Sequence, residues 1–304
     1  MDLRQLQYVV AVAEEFSFTR AAGRCHIVQS GLSFQIAKLE RELGAPLFER
    51  TSRTVRLAPA GEILLPHARR ALAEVEAART QIAVMSGEVR GVLRLGVIPV
   101  NHGSIDLPEV LQTYHRRYPD VDVVVSDIGS LAMVSMIESG EMDAAFLGLF
   151  PAQLPAGLVA RLLSVEPLVA IVADSNPCAD RKKIDLAELA GTTSFIDCHH
   201  DSGLRTQVDL AFVRAKASRQ VIFELGNLAD VARMASLGIG AAVVPSSVAS
   251  TLPQHPDRRF AVIRLNDPQA LQPVSLVSRP SGAGHPAQVF VDMFADAPLL
   301  TPPD

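Results

Sequence analysis

From Val92 onward the sequence is a succession of short apolar runs, GVLRLGVI, VDVVVSD, MDAAFLG, PLVAIVA, TSFID, QVIFEL, GAAVVP and QPVSLVS, most of them separated by enough residues for a helix. Apolar runs of about four to eight residues bounded by turn residues read as buried strands, and their alternation with helical patterns restricts this region to an α/β architecture with a mainly parallel sheet. Two stretches, VVVSDIGSLAMVSMIESGEMDAAFL and VIFELGNLADVARMASLGIGAAVVP, repeat one order of strand, Gly-Ser or Gly-Asn, apolar helix, Gly turn and strand. The repeat predicts two similar lobes.

The first 58 residues follow a different pattern. Leu3, Leu6, Val10 and Ala13 predict one apolar stripe on a first helix, and Ser17 can cap a second through Arg20, Ala21 and Ala22. A third helix carries Leu32, Ile36, Leu39 and Leu43 on one face and ends at Gly44. Its other face offers Gln29, Ser30, Ser33, Phe34, Lys38 and Arg41. LFERTSRTVRL then reads as two short strands about a turn, a small wing bearing Arg50, Arg53 and Arg56. A helix pair whose second member exposes hydrogen-bonding groups is the requirement for major-groove reading. Gln29, Ser33 and Phe34 are the candidates for base edges, Ser30 stands beside them, and Lys38 with the three wing arginines suits phosphates.

Residues 59 to 86 form one long helical pattern starting at Pro59, with Ala68, Leu72, Val75 and Ile82 at a/d-like spacing. So narrow a stripe implies a partner helix, and hence a homodimer. Charge separates the two ends. Residues 1 to 90 hold 12 Lys+Arg against 10 Asp+Glu, whereas residues 91 to 304 hold 16 against 23, which together give the net charge of -5. The mildly basic end is the candidate nucleic-acid module. The opening MDLRQLQYVVAVAEE contains neither a signal-peptide core nor a membrane span, and Cys25, Cys178 and Cys198 are scattered, so a cytoplasmic, reducing location is expected.

Four helix starts that follow strands carry capping side chains, Ser104, Ser130, Ser202 and Asn227. If they face one cleft, together with Val100, Asn101 and Asp197, their N-H groups and partial positive charge favour an anion such as a carboxylate. His102, Cys198, His199 and His200 fall in the same region, but adjacent histidines seldom share one metal and no third ligand is evident, so neither metal nor cofactor is expected. The sequence has no GxSxG, P-loop or HExxH, and no catalytic residue is assigned.

The stretch from LRQLQYVVAVAEEFSFTRAAG to RTVRLAPAG closely resembles the N-terminal domain of LysR-type transcriptional regulators, and YPDVDVVV, SGEMDAAF, DLAELAG and GIGAAVVP resemble the regulatory domain of that family. The resemblance implies an N-terminal all-α winged helix-turn-helix at 1–58, a long linker helix at 59–90, and a C-terminal two-lobed, periplasmic-binding-protein-like α/β domain at 91–304. Lobe I would take about 91–165 and 266–304, and lobe II about 166–265. It implies a DNA-binding regulator rather than an enzyme, acting on double-stranded promoter DNA and the transcription machinery as a homodimer or homotetramer, with an effector between the lobes. Oxidative-stress members use two cysteines close together here, whereas Cys198 has no near partner. The departures lie at the recognition helix. Val28 stands where Ser or Thr is usual, and Ser30 with Gly31 follows where Pro is usual. A missing cap and an early glycine cost about 1 kcal/mol each, so this helix is expected to start at a Ser30 cap or to order fully only on DNA.

Overall fold

A computed structural model describes residues 1–50, 55–84, 89–98, 105–252, 260–280, 285–295, 297 and 299. The chain forms two compact units, one built around Met1–Val89 and the other around Arg90–Ser135 and Met142–Pro280.

In the first unit α1 (Leu3–Glu15), α2 (Phe18–Arg24) and α3 (Gln29–Leu43) surround one core, followed by the hairpin β1 (Phe48–Arg50) and β2 (Val55–Leu57) and by α4 (Pro59–Val84). A reciprocal capping box starts α1, with Gln5 N donating to Asp2 Oδ1 at 2.8 Å and Asp2 N donating to Gln5 Oε1 at 3.0 Å. Of the expected stripe on α1, Leu6 and Ala13 are buried, whereas Leu3 is exposed and Val10 half-buried; the fully buried positions are Val9 and Val12. On α3, Leu32, Ile36 and Leu39 are fully buried, but Leu43 is not. Gly61 lets α4 pass directly over the hairpin, since a Cβ there would lie 2.1 Å from the Leu47 carbonyl oxygen. Pro66 lies inside α4.

The second unit begins with β3 (Gly91–Val97), α5 (Leu107–Arg117), β4 (Val121–Asp127), α6 (Ser130–Ser139) and β5 (Ala144–Leu147). The long β6 (Val159–Ala173) follows, then β7 (Lys183–Ile184), α7 (Leu186–Ala190), β8 (Phe195–Cys198), α8 (Gly203–Arg214), β9 (Val221–Leu225), α9 (Leu228–Ser236), β10 (Ala242–Pro245), α10 (Ser246–Ser250), β11 (Phe260–Leu265), β12 (Leu271–Ser278) and α11 (Pro286–Asp292). The main sheet runs β4-β3-β5-β12-β6-β11-β7, with β10 also on β6, and β8 pairs with β9.

This sheet is mixed, which corrects the expected mainly parallel one. Strands β4, β3 and β5 are mutually parallel, as are β8 and β9, but every partner of β6 is antiparallel to it. The reason is the length of β6. Its first half pairs with β12 beside β5, and its second half, from Leu168, pairs with β10 and β11. One strand thus crosses between two lobes, and β12 returns alongside it. The core of the second lobe gathers Leu168–Val172 with Phe195, Phe212 and Ala232. In the first lobe, Phe146, Tyr114 and Phe290 pack edge to face, and the buried Tyr114 hydroxyl donates to the Pro286 carbonyl at 2.9 Å.

Candidate nucleic-acid interface and ligand cavity

The burial of Leu32, Ile36 and Leu39 turns the opposite side of α3 outward. Gln29, Ser30, Phe34 and Lys38 are exposed, Phe34 at 59%, and Ser33 is half-buried beside them. The helix begins at Gln29 with Val28 as N-cap, and no side chain caps it, so it does not shift to Ser30. Val28 has extended dihedrals and its carbonyl accepts from Leu32 N at 3.2 Å. Thr19 on α2 donates through Oγ1 to Gln29 Oε1 at 3.2 Å, which steadies the Gln29 amide; sequence reasoning missed this partner. The hairpin is tied to α3 by Glu40, whose Oε1 accepts from Leu47 N at 2.8 Å and Phe48 N at 3.3 Å. Arg56 is exposed on β2. Arg53 and the side chain of Arg50 lie outside the described residues.

In the second unit a cavity of about 1350 Å³ opens at the carboxyl ends of β3, β4, β8 and β9, where the chain turns into α5, α6, α8 and α9. This is the usual place for a ligand in α/β sheets. Ser130, Ser202 and Asn227, all expected here, line it, together with Asp127, Cys198, His199 and Asp201. Val100, Asn101, His102 and Ser104 lie outside the described residues. The helix after β3 begins at Leu107, capped by Asp106 Oδ1 on Glu109 N at 3.2 Å, so Ser104 is not its N-cap.

Of the three expected caps among the described residues, two act as caps. Ser202 Oγ accepts from Arg205 N at 3.0 Å, and Asn227 Oδ1 accepts from Ala229 N at 2.9 Å. Ser130 is instead the first residue of α6, fully buried, with its Oγ accepting from Gly148 N at 3.2 Å. The Gly148 carbonyl accepts from Gln207 Nε2 on α8 at 3.2 Å, and a Cβ at Gly203 would lie 2.6 Å from the same oxygen. Gly148 is therefore the point where β5 and α8 close on one another. Leu131 N donates to the Asp201 carbonyl at 3.1 Å, a second link across the cavity edge.

Asp197 corrects another expectation, because it does not line the cavity. Neighbouring residues on a strand face opposite sides, so with Cys198 toward the cavity Asp197 turns away. There it is buried and accepts from Arg219 Nε at 2.7 Å, with Arg205 Nε at 3.7 Å. Burial raises its pKa, opposed by the Arg219 charge and hydrogen bond. Burial likewise pushes the Cys198 thiol up to about 12, reinforced by Asp197 and opposed by Arg205. His199 and His200 are exposed. Among the described residues no group of three or more His, Cys, Asp or Glu side chains could hold a metal ion. Gln272 at the start of β12, a polar residue leading an apolar run, and Thr251 after α10 also line the cavity and were not anticipated.

A three-helix module with an outward polar helix and an attached hairpin, followed by a two-lobed α/β unit with a cavity at its strand ends, is the build of a DNA-binding regulator that carries a substrate-binding type of domain. Residues 3–62 match the bacterial regulatory helix-turn-helix protein, lysR family, and residues 86–298 match the LysR substrate binding domain. The chain belongs to the LysR family of transcriptional regulators, whose members are not enzymes. It is 30% identical over 297 residues to a hydrogen peroxide-inducible genes activator of Pectobacterium carotovorum subsp. carotovorum, covering 97% of this chain and 95% of that protein. It is also 30% identical over 300 residues to the DNA-binding transcriptional dual regulator OxyR of Escherichia coli K12, covering 98% and 94%. A full-length OxyR variant from Pseudomonas aeruginosa has a similar structure, with a TM-score of 0.74 at 26% identity over 98% of this chain and 94% of that one. Among the described residues no helix is long and apolar enough to cross a membrane.

Proposed function

We propose that this regulator responds to a small molecule held in the cavity of its α/β unit, and that residues 1–58 read DNA, 59–90 join subunits and 91–304 sense the effector. The observation that carries the sensing half is the meeting of Ser130, Ser202 and Asn227, from helix starts of both lobes, around one cavity. A ligand touching both lobes favours one placement of them over another, and through contacts between subunits alters the spacing of the DNA-reading modules. Exposed Ile63 and Ile82 on α4 support association through that helix into a dimer, and two dimers into a tetramer. Gln29, Ser33 and Phe34 are assigned to base edges, with Ser30, Lys38, Arg50, Arg53 and Arg56 on or near the backbone. The cytoplasm and the transcription machinery are the setting that goes with this role.

An anionic effector follows from the helix starts alone, and the carboxylates of the cavity wall weigh against it. A peroxide response is not carried over from the similar activators, because Cys198 is buried, burial pushes its thiol pKa up, and the nearest cysteine in sequence, Cys178, is twenty positions earlier. The test is binding of the full chain to the DNA beside its own gene against random duplex, across a salt titration. Gln29→Ala should abolish the preference for the first duplex, whereas Lys38→Ala should weaken both equally and lower the salt slope by about 0.9. Equal, purely salt-sensitive binding to both duplexes by the parent chain would refute the DNA-reading assignment.

A further inference from the structure

We infer that the cavity takes a cationic ligand rich in N-H donors, such as an alkyl ammonium or guanidinium compound; this rests on the effector reading of that cavity and gives it a chemical class. Two independent observations carry it. The first is an orphan acceptor. Gln272 lines the cavity at 1% exposure, its Nε2 donates to the Pro273 carbonyl at 3.0 Å, and its Oε1 is buried without a hydrogen-bond partner. The Nε2 bond to a carbonyl settles the amide orientation, so the atom left over is an acceptor that lacks a donor, and an N-H-bearing ligand is the kind that supplies one. A carboxylate brings none.

The second observation is the charge of the wall. Four acidic residues, Asp106, Glu109, Asp127 and Asp201, belong to the lining, and among its described residues there is no Lys or Arg. The helix starts that would attract an anion are in part already satisfied by the chain itself. Glu109 N, Arg205 N, Ala229 N, Asp230 N and Leu131 N donate to Asp106, Ser202, Asn227 and the Asp201 carbonyl. Each amide satisfied in this way is withdrawn from an incoming anion, and the acidic side chains of the wall repel it.

The experiment is calorimetric titration of the full chain with agmatine and putrescine, and with succinate and benzoate, at one pH and ionic strength. At least one of the two cations should bind, and each carboxylate should bind at least about tenfold more weakly. Gln272→Leu should weaken the cation about ten- to hundredfold, the loss of one charge-assisted hydrogen bond. Asp127→Asn, at an exposed position that keeps the fold, should weaken it severalfold without weakening the carboxylates. A carboxylate that binds more tightly than either cation, binding by neither cation, or a cation affinity unchanged in both variants overturns the inference. Operator binding measured alongside separates the two readings. A carboxylate that binds and shifts operator affinity leaves the effector reading standing and removes the cationic class. A cation that binds and leaves operator affinity unchanged keeps the class and removes the effector role.

Discussion

Replacing Val28 by Ser tests whether the uncapped start of α3 limits DNA reading. Val28 already has the extended backbone of an N-cap, φ -76 and ψ 141, but no side-chain acceptor for the first amides of the helix. A serine Oγ there can accept from Ser30 N or Gly31 N, which is worth about 1 kcal/mol. Val28 is 71% exposed, so the apolar burial given up is small, about 0.5 kcal/mol. The informative comparison is therefore Val28→Ser with Val28→Ala, which lose similar apolar area and differ in the hydroxyl. Hydrogen exchange at Ser30 and Gly31 amides in the full chain should be about fivefold slower in the serine variant, the equivalent of about 1 kcal/mol. Specific DNA affinity should rise by a factor of up to about five between the same two variants, to the extent that ordering of α3 accompanies binding. Indistinguishable exchange and affinity in the two would refute the capping argument.

Gly203→Ala places a Cβ 2.6 Å from the Gly148 carbonyl oxygen, so thermal and urea unfolding should show a loss of about 1–3 kcal/mol from overpacking; an unchanged midpoint would mean that β5 and α8 are not in close contact. Arg219→Met leaves the buried Asp197 without its 2.7 Å partner and should destabilise the chain by about 3–5 kcal/mol in urea unfolding, whereas a loss under 1 kcal/mol would argue that the ion pair is dispensable. A Cys198 pKa of about 12 leaves the thiol protonated at pH 8, so alkylation followed by mass spectrometry should label it on the order of a thousandfold more slowly in the native chain than in urea. Comparable rates would restore a redox reading. Glu40→Ala removes the acceptor of Leu47 N and Phe48 N and should cost about 1–3 kcal/mol with faster exchange at those amides, while Glu40→Gln retains an acceptor and should cost less.

Much of the candidate site was legible because it rests on local chemistry. Ser202 and Asn227 cap helices that start at a strand end, and such caps are visible in a sequence as a polar residue before an apolar period. Ser130 was legible in place but not in role. Its hydroxyl serves Gly148, eighteen positions away in sequence, and no local pattern specifies that partner. Asp197 was misplaced because the strand was recognisable while its two faces were not distinguished, and the arginine that draws it away is twenty-two residues further on. Gln272 and Thr251 were missed because each is a single polar residue whose neighbourhood is assembled by β12 and α10 returning to the cavity.

The sequence by itself determined the three-helix module with its polar recognition face, the long linker helix, and the alternation of strands and helices that makes the second unit α/β. These follow from periodicity, capping and turn chemistry, which act over a few residues. Only the tertiary structure decided that β6 runs through both lobes and makes the sheet mixed, that Gly148 and Gly203 form a close contact, and that the cavity wall is carboxylate-rich with an unmatched Gln272 oxygen. Strand partners and cavity walls are set by contacts between residues tens to well over a hundred positions apart, and the burial that selects them has no signature within a local window.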